Sequence, residues 1–361
     1  MKNKLTNDLS LLEEMIRDQN SKYKVDPFWK NYEYSNVTKI KHFDLKKFLQ
    51  FSNSFGVSSS TRYTTLGTFF IRVYFGILIK IKKYFKVDLV FPKIFKTLNF
   101  FNYTIDDHKL TRANYSSFIF KLIDSFPDSD KLLNIKDDLV LNPIDTFEIM
   151  DKKYSFNFIK YFHEFLMTNN FINFEKSNFF LEIGGGYGGF TEIVKKICPN
   201  IKVVYIDIPP QLYVAEQYLK SIFHKKVAGF RETKKMEFIT QDSFLNYDIL
   251  IMPPWDINKI QDNLIDGFYN GNSFQEMQKK TVSNYCKQLG RIVNKKIVLW
   301  EQRDGNGAIV DPVTRTEYID YMKLNGFKLV QEKSGFFGGH LRGDPSAPFT
   351  YMDLYFFEKA N

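Results

Sequence analysis

Apolar and polar positions along this chain follow two alternating periods. Residues 179–183 form an apolar run of strand length, interrupted only by Glu182, that empties into Gly184, Gly185, Gly186, Gly188 and Gly189. Beyond the glycines, apolar residues recur every three or four positions at Phe190, Ile193, Val194 and Ile197, the spacing of a helix with one buried face. A second apolar run covers 202–208 and carries Asp207 near its end. The pattern predicts strand, tight turn, helix, strand: a βαβ unit that presents a carboxylate about twenty residues past the glycines, where a ribose would need it.

Downstream, Pro209 and Pro210 stop the strand and residues 211–223 read as a helix. Two runs compete for the third strand, 236–241 and 248–252; the second is preferred, because 265–270 reads as a short fourth strand, and 229–246 then becomes an insertion. A helix running through Ile292, a fifth strand at 296–301, a helix at 316–325 closed by Gly326, and strands at 327–332 and 351–358 complete the pattern. Only a loop separates the last two strands, so they should pair antiparallel, since a parallel pair needs a crossover. The expected fold is α/β, with a mostly parallel Rossmann-like sheet and an antiparallel C-terminal strand.

Upstream, residues 5–17 suit a charged helix, and the sequence around Asp26, Pro27, Phe28 and Trp29 reads as loop. Residues 66–87 are the most apolar of this region, but Arg72 and the lysines at 80, 82, 83 and 86 interrupt them before the ~18 residues of a membrane span. A half-buried helix with a solvated lysine face is the reading, with peripheral membrane contact at most. Helical spacing returns at 111–126 and 154–166, with turn signals at Pro127-Asp128 and Asn142-Pro143 between, and His163, a lone histidine among aromatics, reads as a core or edge residue and not a catalytic one. Residues 1–150 are expected to be a helical region for acceptor recognition, a lid or homo-oligomer contacts, and 151–361 the catalytic domain.

Length changes the picture little: 361 residues allow such a domain and a sizeable extra region. A net charge of +9 is compatible with nucleic acid, acidic membranes or phosphorylated substrates and selects none of them. Cys198 and Cys286 have no paired spacing, which supports neither a zinc site nor a disulfide framework; no metal is expected. Residues 1–19 lack an apolar signal core, and a reducing, cytoplasmic location is the expectation.

The glycine loop admits two readings. With Gly184, Gly186 and Gly189 as G-x-G-x-x-G it would hold a dinucleotide pyrophosphate at the helix N-terminus. With Glu182, Gly184, Gly186 and Gly188 as acid-x-G-x-G-x-G it suits S-adenosylmethionine (SAM), which carries an ammonium and a sulfonium and no phosphate. A carboxylate at the strand end gains a partner from a cationic ligand and gains nothing from an anionic one, so Glu182 favours SAM.

The loop from Glu182 to Gly189, the Asp207-Ile208-Pro209 strand end and Asn272-Ser273-Phe274-Gln275-Glu276-Met277 together resemble the bacterial sugar O-methyltransferases, and Asn142-Pro143 is similar to that family's Asn-Pro element. The resemblance covers roughly 140–361 and is most specific at 272–277. It implies a class I methyltransferase sheet, SAM as cofactor, and a sugar or glycan acceptor, free or linked to a nucleotide or lipid. On that reading Glu182, Gly184, Gly186, Tyr187, Asp207, Ile208, Trp255, Asp256, Asn272 and Ser273 surround the cofactor, with Asp242 and Ser243 replacing the pair at 255–256 if the other third strand is right. Gln275, Arg303 and Asp304 face the acceptor, with Arg315 and Arg342 as further candidates for an acidic sugar. A hydroxyl acceptor gains from a base; the candidates are His340 first, then Glu276, Glu301 and Asp304. Competing classes are a nucleic-acid methyltransferase, against which stands the lack of a base-binding Asn/Asp-Pro-Pro-aromatic tetrad, and a SAM-binding scaffold without activity.

Overall fold

The computed structural model describes residues 5, 7–22, 27–42, 126, 128–140, 146–149, 151–305, 311–333 and 352–360. Expectations placed at 66–87, 142–143 and 335–343, and nearly all of 111–126, lie outside them.

Helices α1 (Leu9–Lys22) and α2 (Pro27–His42) open the chain. The second corrects the loop expected around Pro27: proline at the first helical position gives up an N–H that would be unbonded there anyway, so it starts a helix as readily as it ends one. A hairpin of β1 (Thr146–Ile149) and β2 (Lys152–Ser155) leads into α3 (Phe156–Ile172). Ser155 caps that helix by accepting the Phe158 N–H at 3.3 Å, and Asn173 ends it in the left-handed region at φ 59°.

The strand–turn–helix–strand unit then follows as β3 (Phe179–Ile183), α4 (Gly189–Ile197) and β4 (Lys202–Ile206). Helix α5 (Gln211–Phe223), a two-residue edge strand β5 (Val227–Ala228), β6 (Ile249–Met252) and β7 (Ile265–Gly271) come next. Helix α6 (Lys279–Ile292), β8 (Val293–Gln302), α7 (Arg315–Leu324), β9 (Phe327–Lys333) and β10 (Met352–Lys359) finish the chain.

Eight strands form one sheet in the order β5-β6-β4-β3-β7-β8-β10-β9. The pairs from β5 to β8 are parallel, and β10 slots antiparallel between β8 and β9. This is the α/β, Rossmann-like class I methyltransferase sheet. The third strand is β6, as preferred; residues 236–241 contribute one isolated bridge, Ile239 to Ile260.

Alternation along each strand gives the sheet two apolar faces. Phe180, Val203, Tyr205, Ile249, Ile251 and Tyr269 face α3, α4, α5 and α1; Leu181, Ile183, Val204, Ile206, Leu250 and Phe268 face α6 and α7. Fully burying one such side chain contributes roughly 1.5–3 kcal/mol, so the two faces together fix the sheet and, through it, where its strand ends lie. Asp266 reinforces this by accepting the N–H groups of Asn178 and Phe179 at 2.7 and 3.1 Å, which aligns the start of β3 with β7.

Candidate functional site

Strand β3 has β4 on one side and β7 on the other, so the strand order reverses at its C-terminal end, where open α/β sheets bind ligands. The glycine loop leaves the sheet at that point. Gly184 takes φ +73°, and a side chain there would collide with Ser273 as well as strain the backbone. Gly186 takes φ +66°, which aims its N–H at Asp207 Oδ2 over 3.0 Å.

Asp207 also accepts the Ile208 N–H on Oδ1 at 2.8 Å and the Tyr205 hydroxyl on Oδ2 at 3.2 Å. Tyr205 lies two positions earlier, on the same side of the chain, and donates as well to the Gly186 carbonyl at 2.8 Å. The end of β4 thus clamps the loop that leaves β3. Burial pushes the Asp207 carboxyl up to about 7, against these donors, which stabilise its charge.

The opposite wall is the turn after β7. Asn270 is fully buried; its Nδ2 donates to Ile183 O and Ser273 Oγ, both at 2.7 Å, and its Oδ1 accepts the N–H groups of Ser273 and Phe274 at 3.3 and 3.1 Å. Glu301 at the end of β8 accepts the Gln275 N–H at 3.0 Å, while Gln275 Oε1 accepts the Gln302 N–H at 2.8 Å. One residue thereby ties the turn to β3, and a reciprocal pair ties it to β8. The clasp leaves Glu276 half-buried at the rim, where burial and then the Asp207 carboxylate push its pKa up to about 7. Asn272, in the same turn after β7, takes φ 67° and has a buried Oδ1 that finds no hydrogen-bond partner among the described residues.

Gly184, Gly186, Asp207, Ile208, Asn272, Ser273 and Glu276 therefore meet at the ends of three adjacent strands. Glu182, Tyr187, Glu301, Arg303, Arg315 and Asp304, expected at the site, stand elsewhere. Glu182 is buried beneath the loop, accepting the Thr191 hydroxyl at 2.5 Å; burial, helped by Glu164 and Asp207 and resisted by Thr191, pushes its carboxyl up to about 8. It supports the loop from below and is not an open charge at the rim. The Tyr187 ring is turned into the core, edge-on to Tyr161 and Tyr218. Glu301 is completely buried in the clasp, and Arg303 makes a two-pronged pair with the buried Asp353 at 2.6 and 3.0 Å. Arg315 pairs likewise with Glu332 at 2.8 and 2.6 Å, and Asp304 is exposed.

Trp255 and Asp256 follow β6 in a 3₁₀ turn; the Trp255 indole N–H donates to Asp18 of α1 at 2.8 Å, and Asp256 pairs with Lys259 at 3.0 Å. Asp242 and Ser243 precede Phe244, whose ring packs on Phe179 at the start of β3, the far end of the sheet from the glycine loop. His340 and Arg342 lie outside the described residues. His163 is buried against Phe126, and burial lowers its pKa to about 4. Both cysteines are free and buried.

Sequence reading missed Asn270, Thr191 and Tyr205. Only Tyr205 left a trace, its period-two spacing from Asp207; the others act through contacts between segments far apart in the chain.

No protein-family model matches the chain, and no curated protein sequence is recognisably similar to it. Solved structures similar in shape include magnesium protoporphyrin IX methyltransferase (ChlM) from Synechocystis PCC 6803 with bound SAM, at 10% identity and TM-score 0.37, covering 56% of this chain and 86% of that one. The PH0226 protein from Pyrococcus horikoshii OT3 is similar at 15% identity and TM-score 0.37, covering 56% of this chain and 89% of that one. The mitomycin 7-O-methyltransferase MmcR is similar at 8% identity and TM-score 0.35, covering 73% of this chain and 72% of that one. Likenesses at this level carry nothing about substrate, and the class of fold rests on the strand order itself.

Proposed function

We propose that this protein is a SAM-dependent O-methyltransferase whose acceptor is a sugar hydroxyl, in a surface polysaccharide or a nucleotide- or lipid-linked precursor. The observation that carries the cofactor half is the loop with left-handed glycines, clamped by Asp207 at the strand switch point. Three features of the site fit SAM. Asp207 Oδ1 keeps an acceptor position beyond its one bond to Ile208, as a ribose hydroxyl requires. Asn272 Oδ1 is an orphaned acceptor suited to the N–H groups of an ammonium. The absence of a side chain at Gly184 lets the loop close against Ser273, the opposite wall of the site.

SAM supplies a methyl group on a positively charged sulfur. The chain's own contribution to the chemistry is alignment and a base. Glu276, held at the rim by the Asn270 and Gln275–Glu301 contacts, takes the proton of the acceptor hydroxyl; a base of this kind contributes ~10²–10⁴-fold when its pKa lies near the working pH. The competing base is His340. The sugar half of the proposal rests on the resemblance at 272–277.

The test is transfer of isotopically labelled methyl from SAM to a panel of sugar nucleotides and host glycans, with the product mapped by mass spectrometry. The proposal expects an O-methyl sugar and a methoxyl group missing from the host's glycan after gene deletion. Label on nucleic acid or on a nitrogen would overturn the sugar assignment, and SAM unchanged across the panel despite tight binding would favour the scaffold reading.

A further inference from the structure

Helix α1 reaches the same rim from outside the sheet. Its apolar face, Leu11, Leu12 and Met15, is buried in the core that also contains α3–α5, and Trp255 packs against that core. Its acidic face meets the short helical turn Phe230–Thr233 and the lysine after it. Arg231 pairs with Asp8 at 3.0 Å and with Glu14 at 2.9 Å, and Lys234 pairs with Glu14 at 3.6 Å and with Asp18 at 3.2 Å. Asn7, just before the helix, accepts the Tyr213 hydroxyl at 3.1 Å from α5. Nearly every acidic side chain on this face therefore answers a basic one on the segment between β5 and β6.

Asp18 closes the series and differs from the others. It is 8% exposed, and its two oxygens serve different partners: Oδ1 the Lys234 ammonium, Oδ2 the Trp255 indole N–H at 2.8 Å. Trp255 follows β6, which runs parallel beside β4 on the side away from β3, so its C-terminal end lies next to the strand end that carries Asp207, the residue read as the ribose partner. The indole has a single donor, so the bond to Asp18 fixes the ring about that axis.

We propose that Asp18 is a positioning residue for the cofactor: helix α1, strapped to Arg231 and Lys234, sets the orientation of Trp255, and Trp255 in turn walls the adenine. Residues 229–246 then have a role, as the basic dock for an acidic N-terminal strap. The inference rests on the SAM reading of the site.

Calorimetric titration of the full chain with SAM and with S-adenosylhomocysteine, together with tryptophan emission, tests it. Trp29 and Trp300 are common to all variants, so subtracting Trp255→Phe isolates Trp255. Asp18→Ala removes the carboxylate that accepts the indole N–H and should raise both dissociation constants about tenfold, the size of one charge-assisted hydrogen bond, and red-shift the Trp255 emission. Asp18→Asn keeps an oxygen for the indole and should recover most of the affinity. Raising salt should weaken binding in wild type more than in Arg231→Ala, because the strap's outer pairs are screened. Should Asp18→Ala lose its fold, a raised dissociation constant in Arg231→Ala carries the same meaning. Wild-type affinity in a folded Asp18→Ala that has merely lost melting temperature would overturn the proposal while leaving the cofactor reading intact. Wild-type affinity in Trp255→Ala would overturn it by removing Trp255 from the site. No SAM binding by the wild-type chain would bring down the cofactor reading itself.

Discussion

Burial, and after it the Asp207 carboxylate, disfavours the charge of Glu276 and pushes its pKa up to about 7. As a base it must be ionised, so turnover should rise with pH through about 7 and level off above. Glu276→Gln keeps the shape and removes the charge: turnover should fall at least ~10-fold, the rising limb should vanish, and SAM affinity should stay near wild type. Steady-state rates from about pH 5.5 to 9 in both proteins, with His340→Ala beside them, decide it. A Glu276→Gln enzyme of normal rate whose limb disappears only in His340→Ala assigns the proton to the histidine. Single residues were legible where chemistry dictated type and spacing together, as with Gly184, Gly186 and Asp207. Glu182 shows the limit: its place before the glycines was plain, but burial under the loop and the bond from Thr191 depend on how α4 folds back over β3.

The turn after β7 is the element on which the geometry of the site depends. Asn270 satisfies two carbonyl or hydroxyl acceptors and two N–H donors at the junction of β3 and β7, where the Ser273 hydroxyl adds only a long bond of 3.4 Å to the Ile183 carbonyl. Asn270→Ala strands those buried groups, each worth ~1–3 kcal/mol, so equilibrium unfolding in urea should show a loss of roughly 2–4 kcal/mol. A loss below ~0.5 kcal/mol would mean that the turn is held by something other than this residue. Periodicity foretold every strand of the sheet except the two-residue β5, together with helices α3–α7, because each has an apolar face spaced at 2 or 3.6 residues. It failed at α2, where a proline opened a helix and polar residues masked the period, and at the β1–β2 hairpin, whose strands are four residues each and largely exposed.

Among the described residues of the whole molecule, burial raises the pKa of six carboxyls: Glu182 up to about 8, Asp207, Glu192 and Glu276 up to about 7, Glu301 well above the ordinary carboxylate range, and Glu33 upward. Each folded-state value lies above the ~4 of an unfolded chain, so the fold prefers the protonated form. The stability they contribute is complete below the unfolded value and is lost as pH climbs through 7 to 8. The ligand-free melting temperature should therefore fall between about pH 5 and 8.5, and Glu182→Gln, which is neutral throughout, should lessen the slope. A melting temperature that rises across that window would show that the buried carboxyls are ionised and better paired than the structure indicates.

The central claim is that the clamped glycine loop holds SAM, and calorimetric titration of the purified chain with SAM and, separately, NADH tests it most directly. SAM should bind at micromolar concentration and raise the melting temperature, with ~2.7 kcal/mol gained at ~100 times the dissociation constant. Asp207→Ala should abolish most of that binding. Binding of NADH with no heat from SAM would contradict the account.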